Sequence, residues 1–258
     1  MKLKTFSFRK LLHELELSHG KRHDNVSELL WLAEEMVRCY ERDLLCWSVV
    51  YGLTRAGKST YSIASLVQAA RKLGIEADWD YVSRRVVFDP KEILEYFKAV
   101  ESTGYKDLAV IFDDAGVHLH SYKAFTERKF VERLSSLLQV AGVYTSNIII
   151  TTPNPHFVLK VVREMDNMAF IRVSRAGEGT AVAMIYRVRF YPPRLVAVKK
   201  LVREIFELKM PYHDLYREKR VSYTKQQVAT LEEYLESTEG PQPEEPEPTI
   251  VVEEQPEG

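Results

Sequence analysis

Apolar positions along this chain follow two rhythms that take turns. Between residues 24 and 43, Leu29, Leu30, Leu32, Met36 and Val37 keep a 3.6-residue period behind Asp24 and Ser27, either of which suits a helix cap. Leu44 to Tyr51 is a short β-branched run that ends at Gly52 and reads as a buried strand. Lys58 to Leu73 is helical and stops at Gly74, and Arg84 to Asp89 is a second strand. Pro90 opens a helix as a first-turn residue and carries it to about Ser102, before Gly104. Asp107 to Phe112 is a third strand, Phe125 to Val140 a helix followed by Gly142, and Asn147 to Thr152 a fourth strand ended by Pro153. Phe157 to Met165 then reads as a helix and Met168 to Val173 as a fifth strand. Strands alternating with helices at this spacing predict an α/β fold with a mainly parallel central sheet flanked by helices.

From Ala176 the rhythm changes. Gly177 and Gly179 mark a turn before the strand-like run Ala181 to Tyr191, which with the preceding strand predicts an antiparallel hairpin on the sheet edge. Pro192 and Pro193 close it. Leu195, Val198, Leu201, Val202 and Ile205 then form a stripe that predicts a helix over 194–208. Two short helices follow, near 211–219 and 224–236, the second opening on Thr224 with Gln227 three residues on, a capping box. The chain thus divides into a basic N-terminal segment and helix (1–43), a core (44–191), a helical C-terminal region (192–236) and a tail (237–258). No internal repeat is visible.

Charge alters this picture at one end only. The whole chain carries 36 Lys+Arg against 37 Asp+Glu. Ser237 to Gly258 holds seven of those Glu, five Pro and no basic residue, so 1–236 has 36 basic against 30 acidic residues, a net of +6. A Pro/Glu-rich stretch buries too little apolar surface to offset its ordering entropy, which predicts a disordered tail. Such a tail either solubilises the protein or mimics nucleic acid on a basic surface of the same molecule. Cys39 and Cys46 are too few for a disulfide framework and fit a reducing compartment. No run approaches the roughly 20 apolar residues of a membrane span. The expectation is a soluble cytoplasmic protein without a membrane partner.

The strongest chemical signal is Gly52-Leu53-Thr54-Arg55-Ala56-Gly57-Lys58-Ser59, continued by Thr60. It satisfies G-x-x-x-x-G-K-[ST] between a predicted strand and a predicted helix. Glycines let backbone N–H groups close on phosphates, Lys58 brings a point charge to the β/γ-phosphates, and the Ser59 hydroxyl suits Mg²⁺. The helix that follows turns its positive end toward the same phosphates. About 55 residues on, the strand ending at Phe112 delivers Asp113 and Asp114 where α/β sheets bind ligands. Asp113 is expected to hold Mg²⁺ with Ser59 through its water shell, and Asp114 to polarise an attacking water. The fourth strand ends in Thr151 and Thr152, with Asn154 just beyond it, polar groups placed to reach between those carboxylates and a γ-phosphate. Arg163 is the first candidate for an arginine finger, with Arg128 and Arg133 next. His118 and His120 follow the acidic pair without metal-ligand spacing.

With these residues the chain resembles the additional-strand P-loop NTPases, and among them the AAA+ class, over about 44–175. Gly52 to Thr60 stands for Walker A, Leu108 to Asp114 for Walker B and Ile148 to Asn154 for a sensor-1-like strand. The Asp-Asp pair is similar to that of initiator and helicase-loader ATPases of the DnaA/DnaC type, and size and layout are similar to small ATPases of archaeal viruses and plasmids. The resemblance implies ATP and Mg²⁺ as ligands, ATP hydrolysis, assembly into a ring or filament, and work on DNA. A four-helix lid with a sensor-2 arginine is missing after Val173, and a RecA- or HerA/FtsK-like motor, whose strands continue the sheet, fits the hairpin as well.

Arg187, Arg189, Arg194, Lys199, Lys200 and Arg203 form a basic cluster able to neutralise phosphates, with a second at Arg217 to Arg220. Three functions follow from these observations. The first is an ATPase acting on DNA in replication initiation or helicase loading, segregation or packaging of a mobile element, with a replication or packaging protein as a possible partner. The others are an ATP-gated assembly switch with little turnover and a P-loop kinase.

Overall fold

The computed structural model describes residues 29–115, 128–158, 160–163, 165, 168–191 and 195–238. By internal contacts the chain divides into two units, Met1–Leu215 and Tyr216–Gly258. The first unit is built on a seven-stranded sheet. Its strands are β1 (Cys46–Tyr51), β2 (Val86–Val87), β3 (Val110–Phe112), β4 (Asn147–Thr152), β5 (Met168–Gly177), β6 (Thr180–Tyr191) and β7 (Leu195–Glu207), in the order β2-β3-β4-β1-β5-β6-β7. The first five run parallel, and β6 and β7 are added antiparallel. The α/β architecture expected from the rhythm of the sequence, a mainly parallel sheet flanked by helices, is the one observed. An additional strand, β4, stands between the strand leading into the phosphate loop and the strand ending in the acidic pair.

β1 is buried at all six positions, as a central parallel strand covered on both faces must be. On one face Trp47, Val49 and Tyr51 join Phe112, Ile148, Ile150 and Phe170 in a core closed by Ile93, Tyr96 and Phe97 of α4 (Pro90–Thr103) and Leu134 and Leu138 of α5 (Arg128–Val140). Asp89 caps α4 by accepting from the N–H groups of Lys91 and Glu92, and Gly104 ends it at φ 70°. Serving the other face are α1 (Trp31–Glu41) and α2 (Lys58–Lys72). The Asn147 side chain ties that layer together, its Nδ2 donating to the Met36 and Leu108 carbonyls at 3.1 and 2.9 Å. A five-residue helix, α3 (Trp79–Ser83), precedes β2. Among the described residues no helix is long and apolar enough to cross a membrane.

Four expectations are corrected here. The stretch 194–208, predicted helical, forms β7 instead. Its register against β6 slips between Ile185 and Tyr186, leaving Leu201 as a bulge. In this register the positions of Leu195 and Val202 fall on one face of the ribbon and those of Val198 and Ile205 on the other, so the stripe that reads as one helical face is divided between two. Phe157 to Met165 is broken into a 3₁₀ turn at Pro155–Phe157 and a single turn, α6 (Lys160–Arg163). The two C-terminal helices are one, α7 (His213–Thr238), and Thr224 caps nothing, since its hydroxyl donates within the helix to the Arg220 carbonyl at 3.0 Å. Finally, Cys39 and Cys46 are joined in a disulfide, their Cα atoms 6.2 Å apart, between the last turn of α1 and the first residue of β1. Asp24, Ser27, His118, His120, Arg194 and the tail from 239 lie outside the described residues.

Candidate functional site

Tyr51 ends β1, and the chain then wraps from Gly52 to Lys58, the first residue of α2. Two glycines are required by backbone, and Gly52 by contact as well. Gly52 has φ 150°, and a Cβ there would overlap the Val173 carbonyl oxygen of β5. Gly57 has φ 104°, and its Cβ would overlap the Leu208 side chain. Arg55 takes a left-handed φ of 62° between them. Ala56 is buried and its N–H donates to the Leu53 carbonyl at 3.1 Å, while the Leu53 side chain is 84% exposed. No side chain caps α2, so its first N–H groups face the loop with the positive end of the helix dipole behind them. Lys58 is buried and folds back on its own loop, Nζ donating to the Gly52 and Leu53 carbonyls at 3.1 Å each.

Below the loop the strand ends meet. Asp113 is fully buried one residue past β3, its N–H held by the Val87 carbonyl at 2.8 Å. The Ser59 hydroxyl lies 2.9 and 3.0 Å from the two Asp113 oxygens. Thr151 of β4 donates its hydroxyl to Asp113 Oδ1 at 2.5 Å and accepts the Asp114 N–H at 2.9 Å. Asp114 sits at φ 51°, a conformation that costs an L-residue on the order of 1 kcal/mol or more and is tolerated best by Asn and Asp. The Thr151 bond is one of the contacts that hold it there. Three elements thus deliver one cluster in which each hydroxyl already orients a carboxylate or its neighbour. Such a set, with hard oxygens on Ser59 and Asp113, an ammonium on Lys58 and a ring of N–H groups, fits a divalent cation beside a phosphate chain.

The predicted residues divide under this geometry. Gly52 to Thr60, Asp113 and Asp114 lie together at one end of the sheet, with Ser59 against Asp113 and Lys58 against its own loop. Thr152 and Asn154 are turned to other tasks: the Thr152 hydroxyl donates to the Asn154 carbonyl at 3.0 Å, and Asn154 Oδ1 accepts the His156 N–H at 2.9 Å, capping the 3₁₀ turn. The strand-end residue in contact with Asp113 is Thr151. Parallel pairing of Phe112 with Ile150 sets Asp113 beside Thr151, and that register is what a linear sequence does not display. Arg163 ends α6 and is half-buried, whereas Arg133 is exposed on α5. The basic cluster lies on a β-ribbon, with Arg187 and Arg189 on β6 and Lys199, Lys200 and Arg203 on β7. Arg187 pairs with Glu35 of α1 at 2.5 Å, and Arg38 holds the same carboxylate at 2.6 Å.

No known family's sequence profile matches the chain. It is similar to an uncharacterized protein, B-251, of Sulfolobus spindle-shape virus 1, 24% identical over 230 residues that cover 83% of this chain and 90% of that one. It is also similar to an uncharacterized protein, ORF286, of Acidianus two-tailed virus, 26% identical over 180 residues covering 69% and 59%. Among solved structures it is similar to the N-terminal domain of zonular occludens toxin from Neisseria meningitidis, with 13% identity, a TM-score of 0.39, and 61% and 95% of the two chains covered. A KaiC-like protein from Pyrococcus horikoshii gives 12% identity, a TM-score of 0.35 and coverage of 60% and 89%. At those scores neither likeness bears on the site.

Proposed function

We propose that the chain binds and hydrolyses ATP at the phosphate loop and that this activity serves DNA of a mobile element, in replication, segregation or packaging. The observation that carries the reading is the junction of Ser59, Asp113, Asp114 and Thr151 beneath a loop that Lys58 already closes. Lys58 leaves two backbone carbonyls to take the β/γ-phosphates, and the loop N–H groups take the rest of the chain. Ser59 and Asp113 would hold Mg²⁺, which would supply charge neutralisation at the phosphate chain. Asp114, fixed by its N–H to Thr151, orients a water. Its oxygen bonds to the γ-phosphorus as the bond from phosphorus to the β–γ bridging oxygen breaks. ADP leaves with the electron pair, and the water proton passes by way of Asp114 to the inorganic phosphate.

The DNA part of the reading is supported by charge. Outside Arg187, which Glu35 already pairs, the ribbon carries basic positions at Arg189 on β6 and at Lys199, Lys200 and Arg203 on β7, charges suited to an anionic strand. Relatives encoded by viruses are consistent with a mobile-element setting. The test is steady-state ATP hydrolysis with and without double-stranded DNA, with Lys58→Ala as the blank and Lys199→Ala/Lys200→Ala as the DNA variant. Stimulation by DNA that Lys58→Ala abolishes, and that the ribbon variant loses without losing its basal rate, is the expected result. Turnover indifferent to DNA removes the DNA part, and absence of turnover turns the reading toward an assembly switch.

A further inference from the structure

The phosphate loop is held from outside the parallel sheet as well as from within it. Leu208, one residue past β7, fills the space against Gly57 that a Cβ would need, and its own N–H donates to the Gly179 carbonyl at 2.7 Å. Phe206 is buried two residues earlier, its ring 5.1 Å from that of Tyr61 at an interplanar angle of 58°. Tyr61 belongs to the first turn of α2, is fully buried, and donates its N–H to the Gly57 carbonyl at 2.9 Å. Its hydroxyl donates to Glu204 Oε1, and the Trp31 N–H at the start of α1 donates to Glu204 Oε2 at 3.0 Å. From β5, Arg175 Nε reaches the Arg55 carbonyl at 3.1 Å. Glu204 shares its face of β7 with Val202 and Phe206, a setting that would suit an apolar residue if space-filling were the whole requirement. A carboxylate with two fixed donors selects one position of the strand where an apolar side chain would allow several.

We propose that the C-terminal end of β7 is a brace for the phosphate loop, in which Leu208 and Glu204 are positioning residues that hold Gly57 and the first turn of α2 in the form that receives phosphate. The brace deepens the reading above and rests on it for its purpose. The same strand carries the positions of Lys199 and Lys200 beyond the bulge at Leu201.

The test uses the full-length chain without nucleotide. Hydrogen–deuterium exchange is followed in the peptide spanning 52–59 and in β1 and β4, and affinity for a fluorescent ATP analogue is measured in parallel. In Leu208→Ala the loop amides exchange roughly ten-fold faster, while β1 and β4 keep their protection, and nucleotide affinity falls by a similar factor. Leu208→Met restores both. Leu208→Val gives the same comparison in milder form should the alanine variant fail to fold. Unchanged exchange at 52–59 in a folded Leu208 variant overturns the brace. A wild-type chain that binds no nucleotide, yet whose loop responds to Leu208, overturns the functional reading and leaves the brace standing.

Discussion

The parallel strands β1 to β4 and the ribbon β5 to β7, whose β5 still runs parallel to β1, solve different problems. In the first, short strands are buried on both faces and their carboxyl ends converge, so residues 92 positions apart, Ser59 and Thr151, meet on one Asp113. In the second, long strands pair with sequence neighbours, and the result is a ribbon whose one end touches the loop and whose other part carries charge. Convergence creates a site out of small, local motifs, while extension creates reach. Between the two lies α1, whose Glu35 receives Arg187 from β6 and whose Cys39 is bonded to Cys46 of β1.

The largest effect is expected where strand ends converge. Asp113→Asn keeps the shape of the cluster but removes its charge, and ATP hydrolysis should drop about 10²- to 10³-fold with the fold intact, as removal of one preorganised electrostatic group does. An equal loss from neutralising ribbon charges instead would reverse the contrast between the two regions. Next is the joint between them. Cys39→Ser/Cys46→Ser, or a reductant, should lower unfolding stability by about 2.5 kcal/mol, the chain-entropy value for a loop this short. Denaturant unfolding with and without reductant measures it. Thr151→Ala should follow, at about 1.5 kcal/mol, because it takes a donor from a buried carboxylate and an acceptor from the Asp114 N–H. Thr152→Ala, whose hydroxyl serves only a nearby carbonyl, should cost less in the same unfolding experiment, and a larger loss there would point back to Thr152 as the site residue.

The smallest effect sharpens the picture of the ribbon. Burial raises the Glu204 carboxyl above its ordinary value of 4.5, against the opposing hydrogen bonds from Tyr61 and Trp31. A raised value means that the folded state holds the proton longer than the unfolded one, so this contribution to stability is fully present below 4.5 and is lost as pH rises through the folded-state value. Glu204→Gln lacks that term. Its unfolding curve should coincide with the wild type in acid and lie progressively above it as pH climbs toward neutrality; parallel curves would place Glu204 in water.

Legibility followed the same division. The glycine loop, the acidic pair and five parallel strands could be read because each rests on residues adjacent in the chain: a turn, a lysine, a carboxylate at the end of an apolar run. What stayed hidden depends on partners. Thr151 rather than Thr152 reaches Asp113 because of how β3 registers against β4. β7 resembled a helix because apolar positions on both of its faces, Leu195 and Val202 on one and Val198 and Ile205 on the other, together fall at a helical spacing. The Cys39–Cys46 bond depends on a helix end and a strand start coming within 6.2 Å, which spacing alone does not state.

The central claim is that converging strand ends form a Mg²⁺-dependent nucleotide site, and calorimetric titration of ATP into the full chain tests it most directly. Binding of one equivalent in the presence of Mg²⁺, weakened when the ion is chelated and lost in Lys58→Ala, is the predicted result. Binding of equal strength in wild type and Lys58→Ala, or no binding with the fold intact, would contradict it.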